Sequence, residues 1–145
     1  LMASTHVAHD CIVGDNVIMS NLSTLGGHAQ IGNWAILGGG VLVHQFTQIG
    51  EHSLIGGGFR AVQDVPPFII AANHPLEYKG VNIVGLKRRG FSKKDMGVIK
   101  KAYREFFRSG VNRKTVIEKI ESEFPKMNVI QKILNFIKDS NRGII

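Results

Sequence analysis

An aliphatic or small apolar residue recurs at every sixth position along the first 61 residues of the chain. A six-residue period fits neither an α-helix nor a simple strand, and it is typical of a parallel β-helix built from hexapeptides. Three short strands close each triangular coil, so residues 18 apart are expected to stack at the ~4.8 Å spacing of paired strands. The positions keep one unbroken phase and are Leu1, Val7, Val13, Met19, Leu25, Ile31, Leu37, Val43, Ile49, Ile55 and Ala61.

Residues 1–65 are therefore predicted to form the β-helix, and because Leu1 already falls on the sixfold phase they are interpreted as later coils of a longer solenoid. The ladder is expected to stop at Val65-Pro66-Pro67, since proline lacks the N–H group that pairing needs. Residues 66–91 are predicted to form an extended or looped connector that carries the basic run 87–89.

Apolar positions change to a helical period over residues 92–145, which are predicted to form a small C-terminal helical domain packed against the solenoid. Ser92 followed by Asp95 is typical of a capping box, and Gly110 is expected to end this first helix. A second helix is predicted over residues 114–123. Asn128 is expected to cap a third helix.

Charge divides the chain in the same way. Residues 1–65 hold one basic and four acidic residues, a net of 1 − 4 = −3, whereas residues 66–145 hold 17 and 7, a net of +10. This asymmetry indicates either an acidic partner (nucleic acid, anionic lipid or an acidic protein) or ordinary solvated helix faces. Cys11 is alone, so an intrachain disulfide is excluded. No apolar run approaches the ~20 residues of a membrane span, and the chain is predicted to be cytoplasmic and not membrane-spanning.

Stacking at 18-residue intervals predicts that four of the six histidines share one corner of the coil. One use of such a corner is general base catalysis of acyl transfer, with Asp10 orienting the His9 imidazole and the Gly27 N–H facing an oxyanion. The other is a metal site, as in zinc enzymes of the gamma carbonic anhydrase type, although their His-x-x-x-x-His pair is absent here. The predicted corner comprises His6, His9, Asp10, His28, His44 and Gln45, while His52 is placed on another side and His74 lies outside the repeat.

Two glycine triplets, residues 38–40 and 56–58, are also 18 residues apart and are predicted to stack. Six missing side chains along one edge would open a groove suited to an alkyl chain. The alternative is that hexapeptide corners favour glycine for turn geometry alone.

The sequence resembles the UDP-N-acetylglucosamine O-acyltransferases of lipid A biosynthesis over the whole chain. The segments that carry the resemblance are HVAHD (6–10), GGH (26–28), VHQF (43–46), QDVPP (63–67), NHP (73–75), GVN (80–82) and LKRRGFS (86–92). It implies a left-handed parallel β-helix followed by a small α-helical domain, in a homotrimer with active sites between neighbouring subunits. A left-handed winding is an exception to the usual right-handed crossover.

The implied reaction moves a 3-hydroxyacyl chain from acyl carrier protein to the 3-position of UDP-N-acetylglucosamine, the first step of lipid A biosynthesis. The acyl group arrives on the phosphopantetheine of the carrier protein, so no further cofactor and no metal are expected. An acidic carrier protein also supplies the partner for the basic half, and no nucleic acid partner is expected. The resemblance leaves open the acyl chain length and whether the acceptor atom is oxygen or nitrogen.

The resemblance also implies residue roles. His9 matches the general base, with Asp10 beside it, and Gly27 matches the oxyanion-hole amide. Gly57 matches the place where acyl length is measured, and Arg88 with Arg89 matches a basic pair facing the carrier protein. The positions matching substrate-binding residues are His6, His28, His44, Gln45, Gly57, His74 and Asn82.

Two alternatives share much of this pattern. The related N-acyltransferase that acts on an acylated UDP-glucosamine would have the same solenoid and carrier, but VHQF and LKRRGFS favour the O-acyltransferase. A noncatalytic trimeric scaffold that only binds acyl carrier protein is the other.

Overall fold

The structure is a computed structural model that describes residues 1–108 and 110–145. Two-residue strands recur every six residues along the first part of the chain, and they pair in parallel with strands 18 residues away, as Val7 does with Leu25 and Leu25 with Val43. The strands are β1 His6–Val7, β2 Ile12–Val13, β3 Ile18–Met19, β4 Thr24–Leu25, β5 Gln30–Ile31, β6 Ile36–Leu37, β7 Leu42–Val43, β8 Gln48–Ile49, β9 Leu54–Ile55 and β10 Arg60–Ala61. The predicted parallel β-helix is confirmed.

The strands form three faces of a prism. The first face is β1-β4-β7-β10, the second is β2-β5-β8, and the third is β3-β6-β9 extended by β11 (Ile69–Ala72) and β12 (Glu77–Val81). Each passage between faces is a turn, and three edges result. We call them the histidine corner (residues 8–11, 26–29 and 44–47), the aromatic corner (32–35 and 50–53) and the glycine corner (38–41 and 56–59).

The sixfold positions supply the core of the prism. From Met19 to Ala61 every one of them is at most 3% exposed. Small residues pack beside them, and Ala29, Ala35, Val41, Thr47 and Ser53 are fully buried. One inward residue per strand therefore fills the narrow interior, which is why the period is six.

The β-helix does not stop at the two prolines, so that expectation was wrong. Val65 still bridges to Ile49, and β11 pairs in parallel with β9 beyond the prolines. Pro66 and Pro67 lie at the turn after Val65, where the second face has no further strand. Their missing N–H groups therefore remove no ladder hydrogen bond.

Residues 68–91 contain the predicted extended path in two strands, but the short helix after them was not expected. β11 and β12 pair in an antiparallel hairpin, and a short helix, α1 (Ile83–Arg88), follows it. The Asn82 side chain accepts a hydrogen bond from the Gly85 N–H and caps α1.

Three further helices, α2 (Lys93–Phe106), α3 (Arg113–Glu123) and α4 (Asn128–Asp139), confirm the predicted helical segment. Ser92 caps α2 as expected, but α2 ends before Gly110, and Asn128 is the first residue of α4 rather than its cap.

The helices pack on the last coil of the solenoid. The Tyr103 hydroxyl donates to the Pro67 carbonyl at 2.6 Å, and Ser140 donates to the buried Asp64 carboxylate at 2.5 Å. Within residues 1–108 and 110–145, no helix has the length and apolar content to cross a membrane.

Candidate active site

The histidine corner carries a close pair of ionisable side chains. His9 Nδ1 lies 3.0 Å from Asp10 Oδ2, and both side chains are exposed. The hydrogen bond from His9, followed by the positive potential of His28, lowers the pKa of Asp10 below its usual value, so the carboxyl group is ionised at neutral pH. An ionised Asp10 accepts the Nδ1 proton and leaves His9 Nε2 with a free lone pair. This is the geometry of an oriented general base.

Gly27 lies directly against the His9 ring. A Cβ atom at Gly27 would stand 2.7 Å from both Cε1 and Nε2 of His9, so only glycine leaves the ring its place. Among the described residues, no protein hydrogen bond takes up the Gly27 N–H. This N–H group therefore remains available to an oxyanion formed beside the imidazole.

His28 completes the cluster from the next coil. Its Nε2 lies 3.7 Å from Asp10 Oδ2, its ring meets His9 edge-on at 5.1 Å, and it stacks on Phe46 at 4.7 Å. His9, Asp10 and His28 each place one ligand atom within 4.8 Å of the other two. The same three groups could thus hold a divalent ion, and geometry alone allows both chemistries that the sequence left open.

Of the other predicted members of this corner, His44 and Gln45 lie in it and His6 lies beside it. His6 is on strand β1 of the first face, in register with Thr24. The prediction that it shares the corner was therefore wrong, because it lies on the strand that leads into the corner. His44 and Gln45 are at the corner one coil below Gly27, and His44 Nδ1 lies 3.2 Å from the Gln45 carbonyl oxygen. These exposed polar groups border the His9 cluster.

The glycine triplets stack as predicted. The Gly58 N–H donates to the Gly39 carbonyl at 2.8 Å, and a Cβ at Gly38 would stand 2.5 Å from the Gly57 nitrogen. Gly57 itself is exposed, and His74 lies beside this corner with its ring 5.1 Å from that of Phe59. The first face, with exposed Leu42, connects the glycine corner to the histidine corner.

The predicted basic pair and Asn82 lie at the aromatic corner, on a different edge of the prism from His9. Asn82 is 3% exposed, and its side-chain amide donates to the His52 carbonyl at 3.0 Å. Arg88 and Arg89 line an open cleft of about 700 Å³ together with Trp34, His52 and Phe91.

Sequence reasoning missed this aromatic cluster. Trp34 and His52 are 18 residues apart and their rings stack at 6.3 Å, so the same spacing that grouped the other histidines was the signal. His52 also stacks on Phe68 at 5.9 Å and meets Phe91 edge-on at 4.9 Å. Its burial depends on residues after the repeat, which the period does not place.

The chain is thus a parallel β-helix of hexapeptide repeats that carries an imidazole, a carboxylate and a bare backbone amide at one edge. A family model described as UDP N-acetylglucosamine O-acyltransferase, domain 2, matches residues 64–145, and the chain belongs to this family.

Relatives agree along the whole chain. It is 45% identical to the acyl-[acyl-carrier-protein]–UDP-N-acetylglucosamine O-acyltransferase of Aliivibrio salmonicida and 42% identical to that of Thiobacillus denitrificans, in both cases over 100% of this chain. It covers 55% and 56% of those two proteins, so the chain spans about half the length of the relatives it matches.

A solved structure extends the likeness to three dimensions. The UDP-N-acetylglucosamine acyltransferase of Bacteroides fragilis superposes with a TM-score of 0.97 at 43% identity, covering 100% of this chain and 57% of that one. The left-handed β-helix followed by helices, expected from the sequence, is confirmed by this likeness.

Proposed function

We propose that this chain carries the catalytic residues of an enzyme that transfers an acyl group from acyl carrier protein to UDP-N-acetylglucosamine. The observation that carries the proposal is the His9–Asp10 pair lying against Gly27. His9 Nδ1 is 3.0 Å from Asp10 Oδ2, and the His9 ring leaves no room for a Cβ at Gly27. The named relatives support the choice of donor and acceptor.

In this proposal His9 is the general base. Its Nε2 takes the proton from the acceptor hydroxyl group while Nδ1 stays bonded to Asp10. The freed oxygen attacks the thioester carbonyl, and the carbonyl electrons move onto its oxygen to form a tetrahedral oxyanion. Collapse breaks the carbon–sulfur bond, and the departing thiolate receives the proton from His9.

Gly27 stabilises the oxyanion. A backbone N–H held in place by the coil needs no rearrangement as negative charge develops, which is where such donors contribute most. The neighbouring glycine corner would receive the acyl chain along the first face, with Gly57 at its far end.

The protein acts as a homotrimer in this proposal. His9 and the pair Arg88 and Arg89 lie on different edges of one prism, so a single chain does not bring them together. Three copies around a threefold axis would place the histidine corner of one subunit against another edge of its neighbour. The site would then be shared between subunits.

Acyl carrier protein would dock on the basic part of the chain. Residues 66–145 have a net charge of +10, which suits a strongly acidic partner. Attraction of this kind speeds encounter and weakens as salt increases.

The test is an acyl-transfer assay with the full-length protein, 3-hydroxyacyl carrier protein and UDP-N-acetylglucosamine. His9→Ala should lower kcat by ~100-fold or more, as expected when a general base is removed. Product mass identifies the acceptor and the acyl length, and thereby separates this reaction from N-acylation.

Glu118→Ala is the control, because Glu118 is an exposed acid on helix α3 rather than on an edge of the prism. It should leave turnover unchanged. Full turnover in His9→Ala would remove His9 from its role, and loss of activity in a chelator would favour the metal site at His9, Asp10 and His28.

A further inference from the structure

We infer that His52 is a positioning residue that holds the Arg89 guanidinium over Trp34, in the orientation with which Arg89 meets the carrier protein. The inference deepens the proposed function and rests on it. Arg89 itself would touch the donor, whereas His52 is 8% exposed and acts through Arg89.

The guanidinium is held from two sides. Arg89 Nη1 lies 3.4 Å from His52 Nδ1, and its Cζ lies 5.2 Å from the centre of the Trp34 ring. Trp34 and His52 are nearly parallel, 10° apart, because they stack in consecutive coils. A long, flexible side chain is thus confined by one hydrogen bond and one cation–π contact.

The backbone near Arg89 is tied to the same histidine. The His52 carbonyl accepts a hydrogen bond from the Asn82 amide at 3.0 Å, and Asn82 in turn caps α1, which Arg89 directly follows. Gly85 makes room for this arrangement, since a Cβ there would stand 2.5 Å from Asn82 Nδ2 and 3.0 Å from Arg89 Nη1. His52 therefore contacts both the residue that caps the start of α1 and the side chain that follows its last residue.

The hydrogen bond requires a neutral His52 whose Nδ1 is the acceptor, because an arginine can only donate. The charged groups around His52 are Glu51 on its own corner, Arg88 in the same cleft, Arg89 after α1 and Lys132 on α4. Burial lowers the pKa of His52 to about 4. The negative charge of Glu51 opposes this shift, and the positive charges of Arg89 and Lys132 add to it. The imidazole is accordingly neutral through the physiological range.

Steady-state kinetics of the full-length protein provide the test. His52→Phe keeps an aromatic ring among Trp34, Phe68 and Phe91 but removes the acceptor, so the KM for acyl carrier protein should rise ~10-fold while kcat changes less than ~2-fold. His52→Asn offers an acceptor oxygen near the place of Nδ1, and its KM should stay within ~3-fold of wild type.

A double variant separates positioning from general damage. If His52 acts through Arg89, adding His52→Phe to Arg89→Ala should raise the KM no further, because the group to be positioned is already gone. Independent, multiplying effects of the two substitutions would overturn the inference, and so would an unchanged KM in His52→Phe.

A spectroscopic measurement keeps the inference testable if the enzyme assay fails. Nitrogen NMR of the wild-type imidazole should show His52 Nδ1 without a proton at pH 7, and Arg89→Met should shift that nitrogen. A wild-type protein with no acyl transfer but with this signature would refute the proposed function and keep the His52–Arg89 contact. A proton on Nδ1 would refute the contact itself.

Discussion

His28 and His52 occupy the same kind of position in the repeat and have opposite surroundings. Both are the left-handed residue of a corner, with φ of 60° and 55°. The His28 side chain remains 44% exposed beside Asp10, whereas His52 is covered by Phe68, Arg89 and Phe91. The repeat determines the position of each imidazole on the β-helix. The later chain segments that pack over a corner determine whether the imidazole is exposed or buried, and therefore its chemistry.

The difference matters for chemistry. At the histidine corner the rings face solvent and can exchange protons with a substrate, while a carboxylate sets their orientation. At the aromatic corner burial keeps the ring neutral and turns it into a fixed hydrogen-bond acceptor. Under the proposed function and the inference drawn from it, one residue type would serve proton transfer at one edge and side-chain positioning at another.

Gly27→Ala should break the histidine corner with the largest effect. Its Cβ would stand 2.7 Å from the His9 ring and displace the base, and a shift of ~1 Å costs on the order of 100-fold in rate. Gly97→Ala is the matched control, because Gly97 lies on helix α2 and a Cβ there meets no other atom within 4 Å. Measuring kcat for both tests the contact, and equal rates would show that the ring has room.

Gly57→Met should have a smaller effect, on selectivity rather than on the base. The new side chain would project from an exposed corner. A Cβ at Gly57 would lie 3.2 Å from the Gly39 carbonyl oxygen and 3.6 Å from the Gly39 nitrogen. It should shorten the preferred acyl chain, with ~10-fold or more discrimination for the methylenes that no longer fit. Competition between donors of different length measures the preference. An unchanged preference would place the acyl groove elsewhere.

The aromatic corner should show itself in the pH dependence of stability. The pKa of His52 is about 4 when folded and 6.5 when unfolded, so between these values the unfolded chain binds more protons. The free energy of unfolding should therefore fall as pH falls from 6.5 to about 4. Denaturant titrations at several pH values give the free energy of unfolding of wild type and His52→Phe. Between pH 6.5 and about 4 this free energy should change less steeply with pH in the variant. An identical pH dependence would mean that His52 is not buried as a neutral ring.

The repeat made most of the fold predictable. A strict period of six places ten strands, their inward residues and their 18-residue register, since each coil repeats the same local geometry. The end of the solenoid was misplaced because proline disrupts pairing only within a strand. Pro66 and Pro67 lie at a turn instead. The short helix after Asn82 was missed because six residues carry too little periodicity to be recognised.

The candidate site was predictable to the extent that stacking determines it. His9, Asp10, Gly27 and His28 meet because 18-residue spacing brings them together. The burial of His52 was not predictable, since it depends on Phe68, Arg89 and Phe91 returning from beyond the repeat. Contacts between residues this far apart in sequence cannot be recognised from the local periodicity of the repeat.

Mixing subunits tests the central claim that His9 and the two arginines act from different copies of the chain. Full-length His9→Ala and Arg88→Ala/Arg89→Ala proteins would be unfolded together, refolded as mixed trimers and assayed for acyl transfer. With random assembly, about one quarter of the shared sites would take both intact edges, so activity should rise to about one quarter of wild type. Activity no greater than the average of the two separate variants would contradict the account.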